Sequence, residues 1–238
     1  MKKMIGLFVL LAVAVMALPL YGAAAGTEVK TGLVITDSRF IYNRQEGTSF
    51  YFAKVENKGT EDLSLYNSVF TAYDADGNVL YEYPDIALMP NDLLIAPGDF
   101  AFINTMMFDT DRTGWQEKVD RYSVELQETT DGEKYVRTDC TAEHSLTTEN
   151  NWTQINLDVT FRNDTEDIME EPYLVYAFFD QEQKIIAADF TCFPGMSFFP
   201  QSKIRQSVFI YTDIQEYLLQ NNLIPETVMA CLYSSVTD

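Results

Sequence analysis

The sequence predicts an all-β protein of two tandem antiparallel β-sandwich domains behind a signal peptide. Three observations predict it. Short alternating or aromatic-rich runs are broken by turn residues about every ten positions, the pattern of sandwiches and barrels. Helix-period patterns are scarce. The chain also repeats itself. Val69-Phe70-Thr71-Ala72-Tyr73-Asp74-Ala75-Asp76-Gly77-Asn78-Val79-Leu80 reads as a strand that enters a tight turn and starts back, and Tyr176 to Ile186 is a weaker copy. Asp74 and Asp180 stand 106 residues apart.

The N-terminus reads as an address. Lys2 and Lys3 precede an apolar run from Ile5 to Leu20, and Ala23-Ala24-Ala25 supplies small residues before Gly26. That is the layout of a secretory signal peptide over residues 1–25. The run is short for a helix crossing about 30 Å of hydrocarbon, so no stable membrane insertion is expected after cleavage. An uncleaved anchor is the alternative. No cysteine follows the run, so a lipoprotein anchor is not expected. The expected compartment is secreted or extracytoplasmic, at the cell envelope.

Charge narrows the partners. The chain holds 16 Lys+Arg against 36 Asp+Glu, a net charge of −20, and loss of Lys2 and Lys3 with the leader takes it to −22. Such a chain repels nucleic acid and anionic membrane surfaces. No basic run offers a phosphate stripe, so nucleic-acid binding is not expected. The acidic residues are scattered, and 47% hydrophobic content suits packed domains rather than disorder.

The domain boundaries expected are 26–130 and 131–238, joined at Asp131-Gly132 with no Pro/Ser-rich spacer. Two domains so closely linked should touch. Strands are expected near 33–42, 49–57, 64–74, 78–83, 100–108 and 120–128, and again near 134–144, 154–163, 172–180, 184–191, 203–211 and 226–234. The second strand of each set shows the repeat best. Ile155, Leu157, Val159 and Phe161 alternate with Asn156, Asp158, Thr160 and Arg162, one dry face and one wet face. Shifted back by 106, the dry set lands on Tyr51, Ala53 and Val55, and Asn163 lands on Asn57. In the last strands, Tyr122, Val124 and Leu126 match Val228, Ala230 and Leu232. Asp76-Gly77 predicts a two-residue hairpin, and its glycine-free copy Gln181-Glu182-Gln183 a looser turn. One helix is expected, capped by Thr212-Asp213, running through Ile214 to Gln220 and ended by Asn221-Asn222. The segment from Asp109 to Lys118 makes a poorer one. The cysteines, Cys140, Cys192 and Cys231, leave three possible pairings or none.

Phe70-Thr71-Ala72-Tyr73-Asp74 resembles the motif that names the FxLYD family, with Ala72 in place of leucine. Val55-Glu56-Asn57-Lys58-Gly59, Asp76-Gly77-Asn78-Val79 and Pro97-Gly98 fit the same pattern. The second half keeps Asn163 and Asp180, has Phe179 for the tyrosine, and carries Pro200-Gln201 in place of Pro-Gly. The resemblance covers about 50–110 well and 155–210 weakly. It implies exported bacterial domains that are immunoglobulin-like β-sandwiches. It carries over no catalytic residue.

Local chemistry is sparse. His144 is the single histidine. Cys140, four residues away, would sit about 13 Å along a strand, too far for a dyad, and zinc would want more ligands. Asp74, Asp76 and Asn78 form a weak calcium candidate. An EF-hand loop would need glycine and glutamate where Val79 and Asp85 stand, and a hairpin explains the same residues. No carboxylate pair stands out for glycoside hydrolysis. No cofactor is expected. The most distinctive stretch is 190–200, where Phe190, Phe193, Met196, Phe198 and Phe199 lie on a Pro-Gly-punctuated connection. These five are the candidate binding residues. The matching apolar stretch at 83–95 favours the plainer reading, in which both connections fold over their own sandwich. The leading expectation is a non-catalytic binding or structural module that meets an unknown protein or envelope component. Second stands a binder of a hydrophobic or glycan ligand at the aromatic loops or the domain junction. Third stands a hydrolase with a carboxylate pair.

Overall fold

Strand Thr48–Asn57 shows how the molecule is assembled. Tyr51, Ala53 and Val55 are buried, as the repeat predicts, but Phe50 and Phe52 on the opposite face are buried too. A strand of an isolated sandwich would leave one face wet. This one is dry on both, because the C-terminal half of the chain covers its outer side.

The computed structural model describes residues 32–43, 47–149 and 152–235. The predicted signal peptide lies outside the described residues. In order, the strands are β1 (Leu33–Asn43), β2 (Thr48–Asn57), β3 (Ser64–Leu65), β4 (Val69–Tyr73), β5 (Val79–Tyr83), β6 (Leu88–Met89), β7 (Phe100–Phe108), β8 (Arg121–Glu125), β9 (Glu128–Thr129), β10 (Tyr135–Glu149), β11 (Trp152–Arg162), β12 (Met169–Glu170), β13 (Tyr173–Phe179), β14 (Ile185–Cys192), β15 (Ser197–Phe198), β16 (Lys203–Val208) and β17 (Thr227–Ser235). The predicted strands at 64–74 and 120–128 are each split in two. The first breaks where Asn67 takes a positive φ of 50°.

Named strands pair antiparallel throughout. Among the described residues the N-terminal half makes a four-stranded sheet, β1-β2-β7-β6, a three-stranded sheet, β5-β4-β8, and the short pair β3-β9, and the C-terminal half a six-stranded sheet, β14-β13-β17-β10-β11-β16, and the short pair β12-β15. The long β10 causes the difference. It pairs with β17 over residues 135–140 and with β11 over 141–149, so one strand passes from one layer to the other. The result is an all-β, sandwich-type fold with, among the described residues, one short α-helix, α1 (Thr212–Gln220).

The helix stands where the sequence places it, with a different start. Thr212 is its first residue, Tyr211 is the N-cap, and no side chain caps it. Packing on the sheet holds it instead. Ile214 and Leu218, one turn apart, are buried. Gln215 accepts the Ile155 N–H at 3.0 Å and donates to the Ile210 carbonyl at 2.9 Å. The helix ends as Asn222 turns left-handed at φ 54°. The poorer candidate in the N-terminal half is a single 3-10 turn, Trp115–Lys118, pinned by Gln116 donating to the Gly47 carbonyl at 3.1 Å.

Two hydrogen-bond devices recur in both halves. Asn57 is fully buried. Its amide donates to the carbonyls of Glu61 (2.8 Å) and Ile95 (2.7 Å), and its oxygen accepts the Gly59 N–H (2.8 Å). Asn163 donates to Asp167 and Phe198 (both 2.8 Å) and accepts the Thr165 N–H (3.0 Å). Each asparagine ties the end of its strand to the connection that follows it and to the one that leads into β7 or β16. The second device is the turn. Asp74 Oδ1 accepts the N–H groups of Asp76 and Asn78, at 3.0 and 2.8 Å. Asp180 Oδ1 accepts those of Glu182 and Lys184, at 3.0 and 2.9 Å.

The turns differ from expectation. Each is a three-residue loop in which only the last residue is left-handed, Gly77 at φ 85° and Gln183 at φ 60°. The second is no looser than the first. Gln183 accepts the strained conformation because the aspartate's hydrogen bonds fix the loop around it.

The halves meet across β14. Ile185, Ile186, Ala187 and Ala188 are buried in succession, so both faces of this strand are covered. One face packs within the C-terminal half and the other against β1, β2 and β7. Asp37 accepts the Ile185 N–H at 2.6 Å, Arg39 lies 3.5 Å from Asp180, and the Phe102 and Phe179 rings are 6.3 Å apart. Buried apolar side chains of the two halves form one continuous cluster. All three cysteines are free, and burial pushes the Cys140 and Cys231 thiols up to about 12. Among the described residues no helix is long and apolar enough to cross a membrane.

Candidate functional site

Among the described residues the six-stranded sheet begins at β14 and ends at β16, so each has one free edge. These two edges flank a groove of about 510 Å³, lined on one side by residues 189–193 and on the other by 206–209 and Tyr211. Alternation along 203–211 explains its rim. Val208 and Ile210 turn into the core, which leaves Phe209 and Tyr211 on the outer side. Phe209 is 70% exposed and Phe190 44%. Tyr211 also reaches across the junction, its ring 6.0 Å from that of Phe50.

A polar pair lies beside this rim. Asp189 Oδ1 accepts the Phe190 N–H at 2.8 Å and the Asn104 amide of the N-terminal half at 3.2 Å. Its Oδ2 accepts the Tyr176 hydroxyl at 3.3 Å. Burial raises the Asp189 pKa against the pull of these donors, and pushes the Tyr176 hydroxyl up as well. The carboxylate is thus largely withdrawn from solvent at the point where the two halves and the groove meet.

The five aromatic-loop candidates divide. Phe193 and Phe198, 7% and 6% exposed, are core residues packed on Phe161, with ring centroids 6.4 and 4.9 Å away. Phe190, Met196 and Phe199 are exposed. Phe190 lines the groove, whereas Met196 and Phe199 do not. Sequence reasoning passed over Phe209 and Tyr211. Their signal was present, as aromatic residues on the wet phase of an alternating strand.

Asp74, Asp76 and Asn78 come together as a turn. Both Asp74 oxygens are engaged inside it, Oδ2 by the Asn78 amide at 3.0 Å, and these bonds hold its carboxyl below the usual range. Among the described residues no group of three or more His, Cys, Asp or Glu is placed to hold a metal ion. His144 binds the Pro225 carbonyl through Nε2 at 2.7 Å, so that nitrogen carries the proton, and its ring lies edge-on to Phe178.

A second cleft, of about 520 Å³, opens at the junction beside Asp37, Lys54, Glu56 and Lys184. Its acidic groups are already engaged. Asp37 accepts the Ile185 N–H, and Glu56 is paired with Lys54 and Lys58, which hold its carboxyl down at about 2. The groove between β14 and β16 offers the freer surface, with unpaired strand edges and exposed rings.

No protein-family model matches the chain, and no curated protein is significantly similar to it in sequence.

Proposed function

We propose that the protein is an exported, non-catalytic binding module of two tandem immunoglobulin-like sandwiches, and that it engages a protein of the cell envelope through the groove between β14 and β16. The observation that carries this reading is the exposed aromatic rim, Phe190, Phe209 and Tyr211, standing over two free strand edges. Exposed aromatic side chains around a concave, partly apolar surface are the usual anchors of protein recognition. The leader at 1–25, the surplus of acid and the likeness of Phe70 to Asp74 to the FxLYD motif support export and the sandwich family. The acidic charge also keeps the exported chain from adhering to anionic lipid.

The test is a pull-down from envelope extract with the wild-type chain and with Phe190→Ser/Phe209→Ser. The double variant is expected to lose the bound protein by at least about tenfold while keeping its circular dichroism. Recovery of the same proteins by the folded variant overturns this site.

A further inference from the structure

The two halves differ in what covers one strand edge. In the N-terminal half the connection from β5 to β7, residues 84–99, folds back and lays β6 along β7, with Leu88 opposite Ile103 and Met89 opposite Phe102. Tyr51 pairs with Thr105, and its repeat counterpart Leu157 pairs with Val208. The positions that β6 covers in β7 therefore correspond to Arg205 and Gln206 in β16. There the connection is only residues 193–202. It keeps the bridge that both halves share, Leu63 to Ile95 and Met169 to Phe198. It supplies no counterpart of Leu88-Met89, and among the described residues β16 ends its sheet.

We infer that an extended apolar segment of the partner protein takes the place of the missing strand, pairing antiparallel with β16 at Arg205–Gln206. This rests on the binding reading above and names its mode. A free edge supplies backbone donors and acceptors at the strand spacing, and side-chain pockets beside it select the sequence. Here Phe190, Phe209 and Tyr211 provide the neighbouring apolar surface. The N-terminal half shows which occupant fits. It is two successive aliphatic residues in extended form, Leu88 and Met89, both buried on the equivalent edge. Lys203 and Arg205 on β16 disfavour pairing of this edge with the same edge of a second copy.

The probe is a synthetic peptide with the sequence of residues 83–90, titrated into the full-length chain and followed by amide hydrogen exchange. At saturation the outward-facing Arg205 and Ser207 amides are expected to exchange about tenfold more slowly, and the same peptide with Leu88→Asp/Met89→Asp is expected to have no effect. Binding without protection of these amides overturns strand pairing, as does failure of the peptide to bind. Protection that grows with protein concentration in the absence of peptide assigns the edge to a second copy and overturns the partner segment. If the envelope pull-down still depends on Phe190 and Phe209 in any of these cases, the binding reading stands and only the strand mode falls.

Discussion

The N-terminal and C-terminal halves share a framework and differ where one edge is covered. Both bury an asparagine at the end of the second strand, with the same set of backbone partners. Both close the central hairpin on an aspartate that accepts two N–H groups of its own loop. Beyond the hairpin they part. Ile86, Leu88, Met89, Leu93 and Ile95 are all buried in the first connection, whereas Met196 and Phe199 stay exposed in the second. Two copies that keep their hydrogen-bond devices and drop a covering segment show which parts the fold needs. They also show which part is open to another use.

The largest effect expected is at the asparagines. Asn57→Ala leaves the carbonyls of Glu61 and Ile95 without this donor, and Asn163→Ala does the same to Asp167 and Phe198. Each buried, doubly donating amide should cost about 3 kcal/mol on removal. Urea unfolding of the two variants measures it. Similar losses in both halves support the common framework. A loss under about 1 kcal/mol in one of them breaks the comparison at its root.

The next contrast is chemical. Phe70 faces Tyr83 in the first hairpin, and at the matching positions Tyr176 faces Asp189. The second half thus sets a carboxylate at the junction, where Asn104 reaches it. Burial raises the Asp189 pKa above its ordinary 3.8, so the folded chain holds this proton more tightly than the unfolded chain does. The stability tied to this group is present below the ordinary pKa and is lost as pH rises through the raised value. In thermal melts from about pH 3.5 to 7, the wild-type Tm should therefore fall relative to that of Asp189→Asn as pH rises. The difference isolates Asp189 from carboxyls shifted the other way, such as Asp158 beside Arg205 and Ser207. A pH-independent difference between the two proteins would show that Asp189 does not titrate differently on folding.

Much of this framework was legible in the sequence, because alternation and turn residues report local structure. The dry set of Ile155, Leu157, Val159 and Phe161 is buried as predicted. The short helix falls where its periodicity places it. The double burial of Phe50 and Phe52 was not legible. It depends on a distant strand, β14, and apolar residues on the second face of a strand do not say what covers them. The site was half legible for the same reason. Composition pointed to 190–199, but which rings turn inward depends on Phe161 across the sandwich. The free edge of β16 is defined by a strand that is missing, and its sequence trace is only a shorter connection without a Leu-Met pair.

The smallest effect tests whether the two turns are the same object. Gly77 takes φ 85° without strain, whereas Gln183 holds φ 60° with a Cβ, at a cost of about 1 kcal/mol. Gln183→Gly removes that strain but adds freedom to the unfolded chain, which offsets about half of it. A net gain near 0.5 kcal/mol is expected. Gly77→Gln should lose a similar amount. A Cβ there would meet Arg121 Nη2 at 3.4 Å, an ordinary contact, so its cost is conformational rather than steric. Opposite signs of like size in urea unfolding would establish that the aspartate, common to both loops, dictates the turn and that the third residue only tolerates it. If Gln183→Gly instead destabilises, the glutamine side chain contributes more than its backbone costs. The contact to weigh is then the one it makes with Thr227 Oγ1 at 3.4 Å, at the start of β17.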